Sequence, residues 1–422
     1  MVKKLFLYTL LFFLTFFTVS LIALPIFFDL IFSFFILFFF RKNFISIIIL
    51  NFLIIVMIFV IDLSFKSNEK YSYFYRAHEK YTTKKAKYQK NVSDTIFMPH
   101  GDIYFMDYGL SKKRDLIKVP RQQKFITDSY GIRNDKTKIE DAEIILVGDS
   151  FITANGTTQE HIPANILSEI SGKKVASLSY GGLNPTEYEL IISKYLNIIK
   201  KDAKIFVFYF DGNDFIKIDK PQANSSKYIY WRGYQIPRFS GKIRFAYERL
   251  ERKKDKLLLQ IFSEKNYFLK NIRAKSHLFY LKFFSKLHGT GSGIKYFNIG
   301  KNTVGFYHTD YEINNDYVTY IFQNKKVLER VNGFFFIPIK IRIYSDFIDS
   351  IEITSNNPLK YLRDSYSLIN KPVYDLTTIM KTSASKYLSE EKYLYWRDDT
   401  HWNQNGIYES MNYVSSIIEK VK

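Results

Sequence analysis

The chain has 422 residues, enough for more than one average domain. Hydrophobic residues at 47% and charged residues at 24% exclude a disordered or fibrous protein. Cysteine is absent, which excludes disulfide frameworks, thiolate metal sites, iron–sulfur clusters and thiol nucleophiles. The net charge is +20, a balance that suits nucleic acid or an anionic membrane surface when the charge is clustered. Here the basic residues are scattered, and they accompany Asn, Ile, Phe and Tyr, which share A/T-rich codons. No recognition motif for nucleic acid is visible, and no nucleic-acid partner is expected.

Residues 1–65 carry charge only at Lys3, Lys4, Asp29, Arg41, Lys42 and Asp62. The stretch Leu5–Phe40 is 36 residues long with one charge, far more than a signal peptide needs, and roughly 20 residues cross a bilayer. Pro25 and Asp29 divide it. The pattern predicts about three transmembrane helices, near Leu5–Leu24, Pro25–Phe40 and Phe44–Ile61. Lys3/Lys4 and Arg41/Lys42 then lie on the cytoplasmic side, and the third crossing delivers the rest outside. The expectation is a multi-pass membrane protein with the domain that follows the spans on the non-cytoplasmic side. The basic residues Lys66 to Lys85 count against that orientation.

Residues 66–92 are polar, basic and Tyr-rich without glycine or proline, and read as a stalk. Residues 93–422 read as one α/β domain. Glu143–Val147, Lys174–Ser179 and Lys204–Phe210 are short apolar runs that predict buried strands. Each ends in a polar, glycine-containing turn: Gly148-Asp149-Ser150, Gly181-Gly182 and Asp211-Gly212-Asn213-Asp214. Tyr188, Ile191, Ile192, Tyr195 and Ile199 recur at helical spacing between the last two. Strands alternating with helices predict a parallel sheet covered on both faces, with functional residues at the carboxyl ends of strands. Residues 216–331 break the rhythm and read as an insertion. Its Gly289-Thr-Gly-Ser-Gly293 is read as a flexible loop, since no strand precedes it and no Gly-Lys-Ser/Thr follows. The sheet resumes at Phe334–Ile341, and a helical section contains Asp375–Thr378 and Arg397–Asn403.

Ser150 follows a buried strand in a turn. There a serine hydroxyl is exposed, and it becomes a nucleophile once a base accepts its proton. Of seven histidines, His401 alone is closely preceded by carboxylates, Asp398 and Asp399. A carboxylate beside an imidazole fixes its tautomer and stabilises the imidazolium. Gly182 permits close backbone approach, and Asn213 offers an amide donor, so both are candidates to hold an oxyanion. The plainer readings are a helix cap at Asp149 or Ser150, a cap at Asp399, and ordinary turns at the glycines. A metal is not expected, because no second His or carboxylate cluster shows ligand spacing.

In this order the four segments resemble the blocks of the SGNH (GDSL-type) hydrolase superfamily of esterases, lipases and acyltransferases. Gly148-Asp149-Ser150 resembles the nucleophile block, Gly182 the oxyanion glycine, Gly212-Asn213-Asp214 the third block and Asp398-x-x-His401 the last. The resemblance covers about residues 140–215 and 334–415. It implies a three-layer α/β/α domain in which Ser150, His401 and Asp398 form the triad and Ser150, Gly182 and Asn213 bind the oxyanion. Two departures stand out. Asn is missing before the glycines of Ser177–Gly182, and Asp399-Thr400-His401-Trp402 also resembles the Asp-x-His element of alginate O-acetyltransferase-like proteins. There that element precedes the serine, so Asp398 is the expected carboxylate and Asp399 its alternative. The implied activity is that of a membrane-anchored serine esterase or O-acyltransferase without a cofactor. Its implied substrate is an O-acyl ester of an envelope glycan or lipid, and its possible partner a membrane-embedded acyl donor. The competing reading is a non-catalytic SGNH scaffold that binds glycans or serves envelope assembly.

Overall fold

The computed structural model describes residues 2–20, 26–39, 43–64, 78, 81–82, 88–98, 100–103, 117–212, 214–215, 228–231, 234–237, 294–307, 321–349 and 357–420. The chain divides into two compact units. One comprises Met1–Tyr73 and Asp219–Gly291, the other Phe74–Ile218 and Ser292–Lys422.

In chain order the first unit begins with helices α1 (Val2–Ser20), α2 (Ile26–Phe39) and α3 (Phe44–Ser64). Leu11 and Ile47 are buried between them, and buried Asn51 donates through Nδ2 to Thr15 Oγ1 at 3.1 Å. The expectation of membrane-spanning helices is corrected here: among the described residues no helix is long and apolar enough to cross a membrane. At 1.5 Å rise per residue, the 14 residues of α2 reach only about 21 Å, against a hydrocarbon core of about 30 Å. In α1 the two lysines fill the first turn, and the apolar remainder from Leu5 reaches about 24 Å. α3 carries the amide of Asn51 near its middle and Asp62 in its last turn. The multi-pass placement, with a catalytic domain on the non-cytoplasmic side, falls with the spans.

The second unit opens with the antiparallel pair β1 (Ser93–Met98) and β2 (Arg121–Ile126). Of the segment read as a stalk only some residues are described, and there the His78, Tyr81 and Tyr88 rings pack around Phe125. Next come β3 (Ile144–Gly148), α4 (Pro163–Ser171), β4 (Val175–Ser179), α5 (Pro185–Tyr195) and β5 (Lys204–Phe210). Most of the segment read as an insertion lies outside the described residues. Its described parts include the hairpin of β6 (Tyr228–Trp231) and β7 (Tyr234–Pro237) in the first unit. In the second unit they include the hairpin of β8 (Lys295–Ile299) and β9 (Asn302–Phe306), followed by α6 (Lys325–Arg330). The glycine-rich Gly289–Gly293 lies outside them. The chain then runs β10 (Val331–Ile337), α7 (Lys340–Tyr344), α8 (Asn357–Ser367), β11 (Val373–Asp375), α9 (Thr377–Ser389) and α10 (Gln404–Ile418).

Five strands form one sheet in the order β11-β10-β5-β3-β4, with every neighbouring pair parallel. The apolar runs explain this arrangement. Strands buried on both faces alternate side chains between two cores. Ile144, Leu146, Phe206, Phe208 and Phe335 point to a core shared with α4, α7, α9 and α10. Ile145, Val147, Ile205, Val207 and Phe334 point to one shared with α5, α6 and α8. The expected α/β sheet with helices on both faces is therefore present in the second unit. One boundary differs: the run read as a strand through Ile341 ends at Ile337. Pro338 has no N–H to continue the ladder, and Lys340 begins a short helix instead. Chain order sends β4 and β5 to opposite sides of β3, so the carboxyl end of β3 is the switch point where α/β sheets bind ligands.

Gly406 fixes α10 against the loop that carries His401. A Cβ at this position would lie 2.2 Å from the Leu394 carbonyl oxygen. Gly→Ala inside a helix ordinarily gains about 1 kcal/mol. Here Gly406→Ala should instead lower stability, by about 1–3 kcal/mol, because the backbone must move. A raised melting temperature would contradict this packing.

Candidate active site

Ser150 stands two residues beyond the end of β3, at the switch point. A Cβ on Gly148 would lie 2.5 Å from Ile152 Cγ1 and 3.4 Å from the Phe208 carbonyl oxygen, so only glycine lets the chain turn this closely. Asp149 braces the turn, its Oδ1 accepting from Phe151 N–H at 2.9 Å and its carbonyl from Thr153 N–H at 3.0 Å. Successive turns run on to Gly156, and the next α-helix begins only at Pro163. The helix cap offered as the plainer reading of Asp149 or Ser150 is thus absent, and a string of tight turns stands in its place.

His401 reaches the serine from the other end of the sequence. Leu394 and Tyr395 face Trp402 and Asn403 across a short bridge, with Trp396 N–H donating to His401 O at 3.1 Å and Asn403 N–H to Leu394 O at 2.9 Å. Asn403 then caps α10 by accepting from Asn405 and Gly406 N–H. Trp402 Nε1–H donates to Phe151 O at 3.0 Å, which ties this loop to the serine turn. His401 Nε2 lies 2.8 Å from Ser150 Oγ, and Nδ1 lies 2.7 Å from Asp399 Oδ1. A carboxylate only accepts, so Nδ1 carries the proton and the Nε2 lone pair faces the hydroxyl. Ser150, His401 and Asp399 are all buried.

Asp398 does not touch the imidazole in this arrangement. Its Oδ2 accepts from Gly101 N–H at 2.7 Å and Val119 N–H at 2.8 Å, and its Oδ1 from Arg121 Nη1 at 3.1 Å. Nor does Asp399 cap a helix; that position is held by Asn403. The bridge between Tyr395 and Trp402 curls the loop so that Asp398 turns to Gly101, Val119 and Arg121 while Asp399 meets the imidazole.

Sequence reasoning missed four residues. Arg121 Nη2 donates to Asp399 Oδ2 at 3.0 Å while Nη1 holds Asp398, its Nε donates to Gly156 O, and the guanidinium lies 4.2 Å above the Trp396 ring. Asp102 accepts from Thr400 N–H at 2.8 Å and Thr400 Oγ1 at 2.6 Å, and its Oδ2 lies 3.6 Å from His401 Nδ1. Gly101 permits this contact, because a Cβ there would lie 2.6 Å from Asp399 Cβ. Buried Lys340 donates to the carbonyls of Gly305, Trp396 and Asp399 at 2.7, 2.6 and 3.1 Å. Burial draws its ammonium down to about 7, opposed by Asp398, Asp399 and Asp102. Asn155, the fourth, lies in the turns after Ser150. Asp102, Arg121 and Lys340 are about 300, 280 and 60 positions from the loop they hold, so no local spacing could reveal them.

Gly182 follows β4 with φ +81°, a left-handed conformation that favours glycine. Asn213 lies outside the described residues. Its neighbour Asp214 accepts from Tyr188 Oη and Phe210 N–H, both at 2.8 Å, and burial beside Asp149 raises its carboxyl well above the usual range. Asp102, Asp399 and His401 bring ligand-type atoms within 4.8 Å of one another. Their carboxylate oxygens already accept from Thr400, His401, Arg121 and the Asp102 N–H (3.0 Å to Asp399 Oδ2), which makes the group a hydrogen-bonded charge cluster.

Compared with known proteins, the chain matches no family model and no curated protein.

Arg121→Ala would leave two buried carboxylates without their cation. Removing one partner of a buried pair costs about 3–5 kcal/mol, and denaturant unfolding should show a loss of that order. A loss below about 1 kcal/mol, the size of a surface pair, would contradict the bridging role.

Proposed function

We propose that the chain is an SGNH-type serine enzyme, an esterase or O-acyltransferase that works through an acyl-enzyme on Ser150. The observation that carries this reading is the continuous array of Ser150 Oγ, His401 and Asp399, with contacts of 2.8 and 2.7 Å at the carboxyl end of a parallel strand. His401 Nε2 takes the Ser150 proton as Oγ bonds to the acyl carbon, and the carbonyl π pair moves onto oxygen. Asp399 holds the Nδ1–H tautomer and stabilises the imidazolium, and Arg121 and Asp102 keep Asp399 and Thr400 in place. Collapse of the tetrahedral species breaks the ester C–O bond, and His401 returns the proton to the departing oxygen. An incoming hydroxyl, from water or from a sugar, then gives its proton to His401, attacks the acyl carbon and releases Ser150.

The substrate in this reading is an oxygen ester, an O-acyl group of a glycan or lipid. The block resemblance supports the ester. The Asp399–His401 contact supports the Asp-x-His branch, in which transfer to a hydroxyl competes with hydrolysis.

A fluorophosphonate probe should label the wild type at Ser150, and Ser150→Ala should abolish labelling without unfolding the protein. Undiminished labelling of a folded Ser150→Ala would overturn the reading. Asp399→Asn should lower turnover by about 10⁴-fold, as loss of a triad carboxylate does. Asp398→Asn should act mainly through stability. The opposite pattern would return Asp398 to the triad.

A further inference from the structure

The turns after Ser150 enclose an amide that the fold itself does not use. Asn155 is 2% exposed, yet neither Oδ1 nor Nδ2 has a hydrogen-bond partner among the described residues. A buried amide left unpaired opposes folding, and a native structure that keeps one calls for an explanation. The backbone adds to the oddity. Ala154 has φ +58° and Gly156 φ +82°, so left-handed residues flank Asn155 on both sides. For alanine this is a strained conformation, and such strain gathers where a ligand is held.

The place of the amide is defined from two directions. Asn155 N–H donates to the Ser150 carbonyl at 3.0 Å, which keeps the residue one tight turn from the nucleophile. On its other side is the loop after β4, where a Cβ on Gly181 would lie 3.4 Å from Asn155 Nδ2 and 3.9 Å from Oδ1. Gly181 does not satisfy the amide, because its own N–H is directed to Tyr88 Oη at 3.3 Å. Gly182, the oxyanion glycine in the sequence reading, is the next residue. Asn155 therefore sits between the serine turn and the glycine loop, with two donor hydrogens and no acceptor.

We infer that Asn155 is an oxyanion-binding residue of this site: its Nδ2–H donates to the acyl oxygen of the ester as negative charge develops there. The inference rests on the serine-enzyme reading above. A donor that is unpaired within the fold and paired in the tetrahedral state favours the transition state selectively. It also explains why a polar side chain is kept where an apolar one would bury more easily.

The test compares Asn155→Ala and Asn155→Leu with the wild type by fluorophosphonate labelling rate and by melting temperature, since the phosphonyl adduct mimics the tetrahedral state. Labelling should slow about 100- to 1000-fold, the loss seen when one oxyanion donor is removed. The melting temperature should hold or rise in at least one variant, because an unpaired amide has been removed. A labelling rate within threefold of wild type would overturn the inference while leaving Ser150 as nucleophile. So would a melting temperature that falls in both variants, which would make Asn155 structural. A wild type that does not label at Ser150 would overturn the serine-enzyme reading, and the Asn155 inference with it.

Discussion

Three carboxylates, Asp102, Asp398 and Asp399, are buried within one loop region, and a buried charge is tolerated only when cations and donors surround it. Arg121 supplies the cation from β2, bonding Asp398 with one nitrogen and Asp399 with the other. Lys340, at the start of α7, donates to carbonyls of the same loop. The backbone N–H groups of Gly101, Asp102, Val119 and Thr400 take up further lone pairs. This pairing makes the loop rigid, and the position of the imidazole depends on it. With Asp399 fixed on one side and the Trp402–Phe151 hydrogen bond on the other, His401 has one place to go, beside Ser150.

The sheet provides the other half of the geometry. β3 is bracketed by β4 and β5, and Gly148 at its end forces the chain over the sheet edge into tight turns. Ser150 therefore presents its hydroxyl from a string of turns, and the next α-helix begins only at Pro163. Activation in this account comes from the imidazole, and oxyanion stabilisation from side-chain and backbone donors in the turns and in the β4 loop.

Much of the second unit was legible because its signals are local. The apolar runs Glu143–Val147, Lys174–Ser179 and Lys204–Phe210 read as buried strands because residues enclosed on both faces leave no polar alternation. Ser150 and His401 were legible from the turn and from the neighbouring carboxylates. The choice between Asp398 and Asp399 was not, since it depends on the bridge that curls residues 395–402. Arg121, Asp102 and Lys340 were hidden for a different reason: their partners are brought close by the fold, not by spacing. The N-terminal helices have the apolar composition of spans, yet among the described residues none is long and apolar enough to cross a membrane. Lys3, Lys4, Asn51 and Asp62 shorten the apolar stretches, and α2 is short by itself. Asn213 lies outside the described residues.

The central claim is that Ser150, activated by His401, accepts an acyl group. Trapping that species tests it most directly: incubate the protein with an activated acetyl ester, quench with acid, and locate the adduct by intact mass and peptide mapping. The account predicts a single acetyl increment on the peptide containing Ser150, absent from His401→Gln. An adduct that forms equally well in a folded His401→Gln, or that maps to another residue, would contradict it.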